Sequence, residues 1–106
     1  MKESPNLNYI QELSEGNKQF ENKIIAIIQR ELPEEIKLYK EKLKENNFDA
    51  ASQSVHKIKH KISILGLQKG YSIAESFEAQ LKEKSLKLQG EFNSILEVML
   101  AFIKGK

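Results

Sequence analysis

Residues 48–67 read FDAASQSVHKIKHKISILGL, and their spacing decides the fold. The apolar positions Phe48, Ala51, Val55, Ile58, Ile62 and Leu65 recur at steps of three and four residues, never at two. A three–four repeat is the seam of a helix packed in a bundle, whereas a half-buried strand alternates. At roughly 100° per residue, His56 points about 130–140° away from the centre of that seam. Ser52, Lys59, His60 and Ser63 fall on the same side as His56, at three-, four- and seven-residue offsets that share one helix surface. The segment therefore predicts a long helix with one buried seam and a histidine facing solvent at mid-length. Asp49 is the expected N-cap, and Gly66 the expected C-terminal stop.

The rest of the chain repeats the pattern. It has two prolines and five glycines in 106 residues, and Leu, Ile, Glu, Lys and Gln dominate, all good helix formers apart from the β-branched Ile. The punctuation divides it into five or six helices. A short one covers residues 7–13 and stops at Ser14-Glu15-Gly16. A second carries Phe20, Ile24, Ile27 and Ile28. Pro33 then breaks or kinks the chain, or opens the next helix, which carries Ile36, Tyr39 and Leu43 and ends at Asn46-Asn47. After the histidine helix comes one with Ala74, Phe77 and Leu81, then a loop over residues 85–90, then a last helix with Phe92, Ile95, Leu96, Met99 and Ile103. The expected architecture is all-α: an antiparallel four-helix bundle with one or two additional short N-terminal helices, forming a single domain over residues 1–106. Phe77, Phe92, Met99 and Phe102 are read as core rather than cofactor contacts.

Composition excludes several classes. Hydrophobic residues at 40% and charged residues at 30% describe a globular chain. There is no cysteine, so a disulfide framework and a cysteine zinc site are both absent. No apolar run reaches the ~18 residues of a membrane span. The N-terminal residues lack a signal peptide's apolar middle, so the expected location is the cytoplasm. A formal charge of +2 gives no reason to expect nucleic-acid binding. Glycine-rich phosphate loop, HExxH and serine nucleophile elbow are all missing from the sequence, so an enzyme in its own right is not expected.

An exposed helical histidine suits one chemistry well. A neutral imidazole, with an ordinary pKa of about 6.5, is a competent nucleophile near neutral pH. Phosphoryl transfer asks the protein for little beyond positioning and charge stabilisation. Lys59, one turn on, is placed to attract phosphoryl oxygens, and Lys57, Lys61 and Lys69 add positive charge that favours an acidic partner. The bland reading is a solvated surface histidine among ordinary surface lysines. His56 and His60, four apart, also have the spacing of a metal chelate, but two ligands make a weak site and no third is evident, so no metal and no cofactor is expected.

Residues 55–67, VHKIKHKISILGL, resemble the signature of the histidine-containing phosphotransfer (HPt) domain family. In that family a histidine is followed by an apolar residue two on, a lysine three on, and a leucine–glycine pair nine and ten on. Here these are His56, Ile58, Lys59, Leu65 and Gly66. Phe48 and Ala51 match packing positions of the approaching helix, and Phe77-Glu78 falls where the family has an apolar–Glu pair. The resemblance implies a relay in which the histidine accepts a phosphoryl group from a receiver-domain aspartate and passes it to another. It implies His56 as phosphoacceptor and Lys59 as the phosphate-interacting lysine. Gly66 would be a structural position. A receiver domain, of a response regulator or hybrid kinase, is the implied partner, and magnesium would belong to that receiver. Ser52, His60 and Ser63 are the expected docking surface, on a protein expected to be monomeric. The chain departs from the family at His60, where a small residue is usual, and at Lys61 beside it. The competing reading is a degenerate relative that binds a partner without accepting phosphate.

Overall fold

The computed structural model describes residues 3–106. They form five α-helices: α1 (Asn8–Ser14), α2 (Lys18–Lys44), α3 (Phe48–Ile64), α4 (Gln68–Lys82) and α5 (Gln89–Lys104). α3 packs against α2 and α4, and α5 closes the ring by packing against the same two. The connections are short, so successive helices reverse direction. This is the expected four-helix bundle, with α1 as the one added N-terminal helix.

The expected interruption at Pro33 does not occur. α2 is continuous from Lys18 to Lys44 with Pro33 inside it. The physical reason is a core stripe that crosses the proline: Ile25, Ile28, Leu32, Ile36 and Tyr39 are all buried. Pro33 itself is exposed, so the helix forgoes one backbone bond to keep that stripe facing inward. The stripe also corrects the phase read from the sequence, since Phe20 and Ile27 are exposed and Ile24 is only partly covered.

α3 begins two residues earlier than the expected cap implies. Its N-cap is Asn47, whose Oδ1 accepts from Ala50 N at 3.1 Å, and Asp49 lies in the first turn, where it complements the helix dipole. The C-terminal end follows the prediction. Gly66 adopts φ +78°, Gly66 N donates to Ser63 O and Leu67 N to Ile62 O, closing a left-handed cap. A side chain there would be strained by the positive φ, and a Cβ on Gly66 would stand 2.7 Å from Asn6 Nδ2, so the Asn6 side chain would have to shift.

The α3 seam is fully buried at Ala51, Val55, Ile58, Ile62 and Leu65, with Phe48 partly covered at its end. Each such large apolar side chain contributes roughly 1.5–3 kcal/mol when fully buried. Tyr39, Phe77 and Phe92 meet at the centre, with ring centroids 5.2–6.2 Å apart. The Tyr39 hydroxyl donates to Asn93 Oδ1 at 2.9 Å, which ties α2 to α5. Burial pushes that phenol well above its ordinary range.

Candidate functional site

α3 is capped at both ends and buried along one side, so its outer face is held by the whole bundle. His56 projects from that face with its side chain 53% exposed. Its Nδ1 lies 3.1 Å from Glu78 Oε2, on α4. The other carboxylate oxygen of Glu78, Oε1, forms an ion pair with Lys59 Nζ at 2.9 Å. The Ser52 hydroxyl donates to the Glu78 backbone carbonyl at 3.0 Å, pinning that turn of α4 to α3.

The electrostatics follow from these contacts. Burial alone would raise the Glu78 carboxyl, but the Lys59 ammonium, with a smaller contribution from His56, holds it below the ordinary value of 4.5. Lys59 moves upward in turn, because its hydrogen bond to Glu78 outweighs its desolvation. Glu78 is thus a carboxylate at neutral pH, and a carboxylate can only accept a hydrogen bond. Facing it, His56 Nδ1 is the donor. In a neutral imidazole that leaves Nε2 with its lone pair free.

The residues singled out in the sequence separate into two groups. His56, His60 and Ser63 are exposed. The His56 and His60 rings meet edge to face, with centroids 5.2 Å apart and planes at 86°. Ser52 and Lys59 are not on the surface. Ser52 is 1% exposed because its hydroxyl is spent on α4. Lys59 is 7% exposed, held between Glu78 and the ring of Tyr71, whose centroid lies 5.4 Å from Nζ. Lys61 is also withdrawn from the expected positive surface, since its Nζ sits 3.0 Å from carboxylate oxygens of both Glu31 and Glu35 on α2. Burial would lower its ammonium, and those two carboxylates more than reverse the effect.

The sequence reading noted Glu78 only within the apolar–Glu pair and gave it no contact with His56 or Lys59. Its signal was available as the residue following core Phe77 on the next amphipathic helix, but a helical wheel does not say which α4 residue meets which α3 residue. A depression of about 420 Å³ opens beside the histidine, lined by Ser52, Gln53, His56, Lys57, Glu78 and Lys82.

Fold and site together define a class: a four-helix bundle that presents one carboxylate-braced imidazole to solvent from the middle of a rigid helix. The family model for the Hpt domain matches residues 23–104, and the chain belongs to that family, the histidine phosphotransfer domains of two-component signalling. Searches of the curated proteins and of the solved structures returned no match at the significance required. Among the described residues, no helix is long and apolar enough to cross a membrane.

Proposed function

We propose that this protein relays phosphoryl groups between receiver-domain aspartates in the cytoplasm, carrying each as phosphohistidine on Nε2 of His56. The observation that carries this reading is the contact between His56 Nδ1 and Glu78 Oε2 on an otherwise exposed ring. In the step, the Nε2 lone pair attacks the phosphorus of a receiver acyl phosphate. The new N–P bond forms as the P–O bond to the aspartate breaks, and the aspartate leaves as carboxylate. The Nδ1 proton stays in place, so the ring becomes cationic, and Glu78 lies where that charge develops. The return step reverses these changes. Lys59 keeps Glu78 ionised and oriented. The protein needs no cofactor of its own, since magnesium would be held by the receiver. His60 and Ser63, exposed on the same face, are the proposed receiver contacts, and Ser52 supports the site from beneath. Family membership supports a carrier of phosphoryl groups rather than a catalyst.

The test is to incubate the protein with phosphorylated receivers and follow the label. Acid-labile phosphate on the wild type and none on His56→Gln is the expected result. Equal labelling of His56→Gln would sink the reading. A second reading has one observation in its favour: the exposed His60 ring packs against His56, with centroids 5.2 Å apart, on the face a partner would approach. In that case the bundle binds without accepting phosphate, and His56→Gln leaves partner binding and biological output intact.

A further inference from the structure

A phosphoryl group on His56 adds about two negative charges, and something must face them. Resemblance assigns that task to Lys59. Its side chain, however, is 9% exposed and its ammonium is committed to Glu78 at 2.9 Å. Turning it toward a phosphoryl group would strip Glu78 of its cation while His56 depends on that carboxylate. Lys61 is withdrawn in the same way by Glu31 and Glu35. Two other lysines differ. Lys57 on α3 and Lys82 on α4 line the same depression as His56, both are exposed, and neither has a carboxylate within ion-pair distance among the described residues. They approach that depression from different helices, with the Gln53 amide also at its wall.

We infer that the phosphoryl group of phospho-His56 is held in this depression by Lys57 and Lys82, while Lys59 acts only through Glu78. The inference rests on the proposed phosphohistidine chemistry and names its charge-stabilising residues. The division of labour has a physical logic. A lysine buried against a carboxylate is a poor phosphate ligand but a good anchor, and a flexible exposed lysine is a point charge that can follow a small anion. Drawing one lysine from each helix also lets the group be held on two sides as the partner departs.

The experiment uses two donors, phosphoramidate and a phosphorylated receiver, with the full chain, its variants K57Q, K82Q and K57Q/K82Q, and the control K40Q at an exposed α2 residue that does not line the depression. With phosphoramidate the His56 N–P bond forms as the donor P–N bond breaks, and ammonia leaves. This donor has no docking surface, so it reads the phosphoryl environment alone. K57Q/K82Q is expected to label roughly tenfold more slowly than wild type with both donors, as the loss of charge-assisted hydrogen bonds implies. The gap should shrink as salt is raised, K57R/K82R should restore most of the rate, and K40Q should match wild type. Wild-type labelling of K57Q/K82Q by phosphoramidate overturns the inference, and so does a loss confined to the receiver, which would make these lysines docking residues. Failure of the underlying reading looks different: His56→Gln would then label like wild type, or the wild type itself would label from neither donor.

Discussion

Glu78 spends its two carboxylate oxygens on different partners, one on His56 and one on Lys59. Replacing it with glutamine keeps the shape and an acceptor but removes the charge. Lys59 then remains nearly buried without a counter-ion, which costs about 2 kcal/mol, measurable by urea unfolding. His56 loses the anion that faces its developing positive charge, so labelling slows by roughly tenfold. The pH dependence has a defined sign. Glu78 is lowered from 4.5 in the fold, so its contribution is present above that value and is lost as pH falls through the folded value. Lys59 is raised from 10.5, so its contribution is present below that value and is lost as pH rises through the folded one. Unfolding curves of Glu78→Gln should therefore fall less steeply than wild type in the acid window below 4.5. An identical acid limb in the two proteins would show that Glu78 is not the group responsible. The exposure of His56 was legible in the sequence because it depends on one helix. The burial of Ser52 and Lys59 was not, because it depends on which turn of α4 lies alongside, and only packing decides that.

At the scale of elements, α2 shows where a local rule yields to a longer one. Pro33 reads as a boundary, and in an isolated helix it would be costly. The stripe Ile25, Ile28, Leu32, Ile36 and Tyr39 keeps helical spacing straight through it and was present in the sequence to be counted. Five buried side chains on one line outweigh one missing backbone bond. Because the proline is exposed and lies within the helix, Pro33→Ala restores an N–H that can reach the Gln29 carbonyl without disturbing the core. The gain is expected to be about 1–2 kcal/mol, the helix-interior penalty of proline less the entropy it removes from the unfolded chain. A shift of the denaturation midpoint to higher urea with an unchanged slope would show it. An unchanged or lower midpoint would mean that the freed carbonyl has other compensation. For α3, by contrast, seam and stop signal agreed, and the misses were the cap, placed on Asp49 rather than Asn47, and the burial of Ser52, Lys59 and Lys61.

At the scale of the molecule, the N-terminal segment was the least legible part, because its contacts are made far along the chain. The family match starts at residue 23, yet Ile10 is fully buried. Asn6 N donates to Leu65 O at 2.9 Å, and its side chain lies against Gly66. The Glu3 carboxylate accepts from Lys69 N and Gly70 N, at 2.9 and 3.0 Å, so it sits on the positive end of α4. Nothing local in the sequence pairs residue 3 with residues 69 and 70. The segment therefore clasps the α3–α4 turn, while every proposed site residue lies on α3 or α4 themselves. Removing residues 1–16, which leaves the Asn17 cap of α2 in place, should cost about 3 kcal/mol from the lost burial of Ile10 and the lost anion at α4. Phosphoramidate labelling of the folded truncated chain should stay close to that of the full chain, because the His56–Glu78–Lys59 contacts are made within the four-helix ring. A large drop in labelling with retained helicity would mean instead that the clasp sets the register of α4 against α3, and through it the distance from Glu78 to His56.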